Sequence, residues 1–367
     1  MKKSLGIYVH IPFCLKKCRY CDFCSFGGKS EGYMAAYADE LCRRIRTAAE
    51  NADGYEVDTV YFGGGTPSLM PISEMEKIMG AIRGFDVKKD AEITLECNPA
   101  TADRAYFEGL LSLGFNRLSI GLQSAVDREL ELLGRAHDLS DFLSCFEDAR
   151  SAGFDNISVD LMYGIPEQTE ESFRKSLELV TSLSPEHISS YGLTVEEGTY
   201  FFAHRDELDI ADGDGQASMY EILGEYLSSR GYEKYEISNF ARKGRESRHN
   251  TRYWRRMDYL GFGVAAHSCF EDVRFGNSRD IDAFLRGEDI CEERYELDLE
   301  ERRREYIMLG LRLAEGIDRG EYRKSFGVCF PSVEKFINGG FMREQNGRVA
   351  FTEKGFLVSN AILSEFI

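Results

Sequence analysis

No stretch of the 367-residue chain approaches the roughly 18 apolar residues that a bilayer-crossing helix requires, so a helical membrane span is excluded. Basic residues are in deficit. Forty-five Lys and Arg face 63 Asp and Glu, a net charge of −18 at pH 7, which argues against general binding to nucleic acid or to an anionic membrane. Low-complexity tracts are missing, and a hydrophobic fraction of 43% beside 29% charged residues excludes a disordered or collagen-like polymer. A secretory leader is not expected either. Two lysines precede an apolar stretch between Met1 and Cys14, but Gly6 and His10 interrupt it and bulky Phe13 stands where a cleavage site needs a small residue. The segment reads as a strand, in a cytoplasmic protein. The length allows about two domains at about 150 residues each.

Ten cysteines are present, without the dense, even distribution of a small disulfide framework. Cys42, Cys97, Cys145, Cys269, Cys291 and Cys329 are scattered among apolar neighbours and read as small buried hydrophobes. Cys14, Cys18, Cys21 and Cys24 instead fall together, in a C-x3-C-x2-C-x2-C pattern. Close thiols in a reducing compartment point to metal. With no second Cys or His pair downstream at zinc-finger distance, an iron–sulfur cluster is favoured over structural zinc, which stays the alternative. A cubane held by three protein thiolates leaves one iron open to a small molecule.

Six apolar, β-rich runs occupy residues 5–12, 57–64, 91–97, 117–123, 156–163 and 187–195, each followed by a polar turn and a stretch with helical spacing. That alternation predicts βα units and a parallel sheet whose functional ends are the C-terminal ends of its strands. The segment Leu113–Ser119 is echoed at Ala152–Ser158 and more weakly at Arg230–Glu236, and each echo carries a glycine suited to ending a helix. The expected fold is α/β: a partial (β/α)6 barrel over residues 1–215, with a smaller C-terminal α+β domain over 216–367. A helix is expected from Glu300 to Leu313 and another after Phe351.

Gly63, Gly64 and Gly65, at the end of the second strand, free the backbone to approach a ligand and to turn its amides toward it, and Thr66 adds a hydroxyl. A plain tight turn would explain the run equally, but no phosphate loop is formed, because no Gly-Lys-Ser/Thr follows. Glu96, Gln123 and Asp160 lie near the ends of later strands and Arg135 just after one. A charge within an apolar strand needs a partner. An ion pair or a helix cap would supply one; convergence on a single mouth is the functional alternative.

These residues carry a resemblance. Cys14-x3-Cys18-x2-Cys21, with Tyr20 before the last cysteine, and Gly63-Gly64-Gly65-Thr66-Pro67 resemble the cluster and glycine motifs of the radical S-adenosylmethionine (SAM) superfamily. The wider match includes His10–Phe23, Gly121–Ser124, Asp160–Pro166 and His249-Asn250-Thr251-Arg252-Tyr253-Trp254. It is similar to the oxygen-independent coproporphyrinogen III dehydrogenase family over nearly the whole chain. Phe23 stands where the dehydrogenase branch has a fourth cysteine, and only 13 residues precede Cys14, where that branch has an N-terminal extension. Both features place the chain nearer the haem-chaperone branch, although Cys24 stands where asparagine is common there.

The resemblance implies that Cys14, Cys18 and Cys21 hold a [4Fe–4S] cluster, that Tyr8, Gly64, Gly65, Thr66 and Glu96 contact SAM, and that Tyr20 packs near the adenine. Gln123, Arg135 and Asp160 match positions for a second SAM molecule. His249 is the candidate haem ligand, its alternative being a solvated histidine. The basic residues from Arg242 to Arg256 suit tetrapyrrole propionates or a salt-bridged interdomain surface. Tyr253 and Trp254 would stack on a macrocycle or pack the two parts together, and His267 reads as a core or turn histidine. The implied function is haem binding and delivery to an acceptor protein, with oxidative decarboxylation of coproporphyrinogen III as the alternative. No nucleic-acid partner is expected, and membrane contact only through the acceptor.

Overall fold

Six parallel strands form the centre of the computed structural model, which describes residues 2–366. They are β1 (Lys3–Ile11), β2 (Tyr55–Gly64), β3 (Val87–Cys97), β4 (Arg117–Gln123), β5 (Ile157–Tyr163) and β6 (His187–Gly192). Each pairs parallel with the next. The helices α1 (Glu31–Ala49), α2 (Ile72–Ile82), α3 (Arg104–Leu113), α4 (Leu139–Ala152), α5 (Glu170–Leu183) and α6 (Gly213–Ser229) alternate with them. Strands covered on both faces need continuous apolar runs, and the first six residues of β4 are all buried. Met34, Tyr37, Leu41 and Ile45 of α1 supply one buried stripe of the covering layer.

Local signals set the helix ends. Asp103 caps α3 and Asp138 caps α4, each accepting a backbone N–H from the first turn. Gly114 and Gly153, the glycines of the repeated segment, end those helices with φ of 101° and 118°, a region that a Cβ disfavours.

The chain after α6 does not form a separate sheet at first. Asn239–Ala241 pairs antiparallel with β6, and Tyr259–Phe262 pairs parallel with β1. The latter continues antiparallel through His267–Phe270, Val273–Asn277 and Cys291–Glu296, so that one sheet has twelve strands. Residue 215 lies inside α6, and strands on both sides of it share this sheet. A smaller α+β unit follows, with the helix Leu299–Gly310 and a sheet of Ile317–Asp318, Met342–Gln345 and Arg348–Phe351. The helix expected after Phe351 is two short ones, Glu353–Leu357 and Ser359–Leu363.

Two expectations need correction. Cys42, Cys97, Cys145 and Cys269 are buried, but Cys291 and Cys329 are exposed; every residue of Cys291–Glu296 is exposed because it is the outermost strand. His267 is exposed beside Glu293 rather than in the core. Among the described residues no helix is long and apolar enough to cross a membrane.

Candidate functional site

The C-terminal ends of β2 to β6 and the loop after β1 enclose a cavity of about 420 Å³. Phe13 and Cys14 pair with Phe26 and Gly27, which ties the intervening loop back onto the barrel rim. Cys14, Cys18 and Cys21 are half-buried and line the cavity together. The Thr66 hydroxyl points at Cys14 Sγ, 3.5 Å away, and an Arg135 Nη1–H at Cys18 Sγ, 3.6 Å away. Donors aimed at sulfur suit thiolate ligands, so this set fits an iron–sulfur cluster. Cys24 is different. It is buried in the core and does not face the cavity, and its carbonyl accepts a 2.9 Å bond from His10 Nε2.

The glycine run crowds this site. A Cβ on Gly65 would lie 2.7 Å from the Phe13 carbonyl and 3.1 Å from Cys14 Sγ, and Gly64, at φ 116°, is pressed against the His10 ring. The expected amides are committed elsewhere: Gly64 N–H donates to Glu96 Oε2 at 3.2 Å, Gly65 N–H to Ile11 and Thr66 N–H to Phe13. The run allows close approach without offering its donors, because β1, the Phe13–Cys14 segment and β3 take them.

Tyr20, Gly64, Gly65, Thr66, Glu96, Gln123, Arg135 and Asp160 all line the same cavity. Neither acid is in an ion pair. Glu96 accepts from Tyr61 Oη at 2.8 Å, and Asp160 accepts from Ser119 Oγ at 3.0 Å and Ser158 Oγ at 3.3 Å. Burial, reinforced by Asp160, pushes the Glu96 carboxyl up to about 7, and burial raises Asp160 too. Gln123 sits at φ 71° where the register between β4 and β5 shifts, which turns the strand end at the rim. Arg135 Nη2 also holds the Gly121 carbonyl at 2.8 Å. Tyr61, Arg117, Ser189, Tyr191 and Asn250 face the cavity as well, and sequence reasoning did not single them out. Arg117 broke the pattern just as Glu96 and Asp160 do, but at the first position of a strand an arginine reads as a solvated edge.

Tyr8 and His249 do not line the cavity. The Tyr8 hydroxyl donates to His10 Nδ1 at 3.0 Å. His249 lies below, on the helix Arg248–Trp254, which docks on the N-terminal halves of β2 and β3: the backbone N–H groups of Arg248 and His249 donate to the Glu92 carboxylate. His249 is fully buried, not solvated. Its Nδ1 contacts Thr59 Oγ1 at 2.9 Å and its Nε2 contacts Tyr253 Oη at 2.8 Å. Burial first, then the charges of Arg252 and Arg117, lower its pKa to about 3. Tyr253 packs edge-on against Tyr259, and Trp254 borders a cavity shared with the C-terminal unit.

The basic stretch is mostly paired: Arg252 with Asp58, Arg256 with Asp272 and Glu305, Arg255 with Glu315, Arg245 with Asp155. Beneath the helix lies a groove of about 1030 Å³ that Arg245, Arg248 and Arg255 help to line. Asn250 faces the upper cavity and Thr251 the groove, so the helix separates the two spaces.

Comparison with known proteins gives matches along the chain. Residues 8–180 match the model of the Radical SAM superfamily, and residues 297–358 that of the HemN C-terminal domain. The chain is 34% identical over 379 residues to the heme chaperone HemW of Bacillus subtilis, covering 98% of each chain. It is 33% identical over 373 residues to the heme chaperone HemW of Escherichia coli, covering 99% of this chain and 98% of that one. The solved structure of coproporphyrinogen III oxidase HemN from E. coli superposes with a TM-score of 0.86 at 24% identity, covering 100% of this chain and 90% of that one, a likeness of fold.

Proposed function

The chain belongs to the HemW family of haem chaperones within the radical SAM superfamily, and from that membership we propose that it binds haem and delivers it to an acceptor protein while keeping a cluster and SAM site in the upper cavity. The superfamily implies a [4Fe–4S] cluster and SAM, and the HemW family implies haem. Near-complete coverage of both chains by proteins named as heme chaperones carries this reading. Phe23 supports it: where the dehydrogenase branch has a fourth cysteine, this chain puts an exposed aromatic ring at the cavity wall.

Cys14, Cys18 and Cys21 would hold the cluster, with Thr66 and Arg135 steadying two of the sulfurs. The chemistry a reduced cluster supplies is one electron to the sulfonium of SAM, which cleaves a carbon–sulfur bond. Gly64, Gly65, Thr66 and Glu96 would contact SAM beside it, Tyr20 would pack near the adenine, and Gln123, Arg135 and Asp160 would border any second molecule. Tyr8 acts one step removed, by holding His10 against the glycine run.

His249 is the proposed haem ligand, and the closed geometry sets a condition on it. Its depressed basicity keeps the imidazole neutral, as iron ligation needs. Nε2 becomes available only when Tyr253 withdraws its hydroxyl. The groove below offers Arg245 and Arg255, whose exposed ion pairs contribute at most about 1 kcal/mol each and can be exchanged for propionates. The test is haem titration of His249→Ala and Tyr253→Phe. The first should abolish the axial-histidine spectrum with the cluster absorbance intact, and the second should tighten binding by freeing Nε2; unchanged spectra in both reject His249. An anaerobic assay of the reconstituted protein with SAM, reductant and coproporphyrinogen III should yield no robust decarboxylation. Rapid turnover there would overturn the chaperone reading.

A further inference from the structure

Arg117 opens β4, is 1% exposed to bulk solvent, and lines the upper cavity. Its Nε has no hydrogen-bond partner, and among the described residues no carboxylate lies within ion-pair distance of it. Other buried arginines are engaged: Arg252 holds Asp58 and Ser4, and Arg135 holds Gly121 and Cys18. The two acids that face the same space do not compensate Arg117 by contact, because Tyr61 and Gly64 occupy Glu96 while Ser119 and Ser158 occupy Asp160. Arg117 acts on both carboxyls only through space, and burial pushes each of them back toward its neutral form. A buried cation offset only through space, with no contact partner, is unfavourable for the ligand-free fold.

We propose that Arg117 is the seat for a carboxylate arm of a bound ligand, on the floor of the upper cavity and apart from the thiol-bearing rim. A guanidinium presents a planar fork of donors that matches a carboxylate, and Asn250, from the helix beneath, lines the same floor. Two ligands of the proposed function carry such an arm: SAM through its amino-acid end and, if haem occupies the upper cavity instead of the groove, haem through its propionates. The inference rests on the reading of this cavity as a ligand site and is independent of haem transfer.

Two ligand pairs that differ only at the carboxylate separate the sources: SAM against decarboxylated SAM, and haem against haem dimethyl ester, each titrated into full-length, cluster-reconstituted protein. One pair should show a carboxylate preference of about ten- to a hundredfold in the wild type, the size of a hydrogen bond between charged groups. Arg117→Gln should abolish it and Arg117→Lys should keep part of it. The pair that responds identifies the source. Without ligand, Arg117→Gln should melt at a higher temperature than the wild type, since an unpaired buried charge has gone. A wild type with no carboxylate preference in either pair, an unchanged preference in Arg117→Gln, or a lower melting temperature overturns the proposal. Absence of any haem binding would sink the chaperone reading while the SAM pair still tested Arg117.

Discussion

Glu96 shows how a single buried carboxyl couples the site to pH. Its pKa rises from 4.5 to about 7 on folding, chiefly by burial. A raised carboxyl pKa means that the folded state binds the proton more tightly, so this stabilisation is present below pH 4.5 and is lost as pH rises through 7. The full span is about 3 kcal/mol. Denaturant unfolding of the cluster-free protein should therefore show stability falling between pH 4.5 and 7, and Glu96→Gln should flatten that part of the profile; an identical slope in the variant would remove Glu96 as its source. Gly65 tests the other wall. An added methyl meets the Phe13 carbonyl at 2.7 Å, a backbone atom that cannot swing aside, and presses on Cys14. Gly65→Ala should lose cluster absorbance on reconstitution with far-UV dichroism unchanged, whereas full cluster content would mean that the loop yields. These residues could be picked out in the sequence because glycine runs and charges break an apolar strand. Their partners could not, since Tyr61, Ser119 and Ser158 look like ordinary strand residues until the strands are side by side.

At the scale of elements, the six strands and their helices were readable because periodicity and glycine helix ends are local properties. The role of the helix Arg248–Trp254 was not, although its motif stood out. Its anchors are Ser4, Asp58, Thr59 and Glu92, on strands that lie far away in the chain. Arg252 is the main bolt, 2% exposed, paired with Asp58 and hydrogen-bonded to the Asp258 carbonyl at 3.0 Å. Removing one member of a buried pair strands the other, at a cost of about 3–5 kcal/mol. Arg252→Met should lose about that much in urea unfolding, and pairing it with Asp58→Asn should recover part of the loss. Additive losses would show that the pair is not coupled. Because the same helix carries His249 and divides cavity from groove, loosening it should also open Nε2 to iron. Haem binding should then accelerate in Arg252→Met even as stability falls.

The whole molecule is organised by a sheet that runs across the boundary expected at residue 215. A six-stranded open barrel exposes one edge on β1 and one on β6, and unpaired edges recruit other chains. Here both edges are covered by strands from later sequence, Tyr259–Phe262 on β1 and Asn239–Ala241 on β6. The six regular runs stop at residue 195, and the later strands went unseen because short strands at sheet edges have weak hydrophobic signals and pair at long range. The last seventy residues relate to the sheet differently. Among the described residues they add no strand to it, and they meet it through an apolar cluster that includes Ile307, Leu311 and Phe356 and through ion pairs such as Arg256 and Arg274 with Glu305 and Lys234 with Glu353. Two truncations therefore have opposite expected fates. A chain ending at residue 297 keeps all twelve strands and should stay monomeric on gel filtration and take up cluster, with a lowered melting temperature. A chain ending at residue 229 keeps every proposed cluster and SAM residue yet bares both edges, and it should aggregate. If the shorter chain proved monomeric and bound its cluster, edge protection would not be what the later strands contribute, and the barrel would have to hold itself together through its helical layer alone.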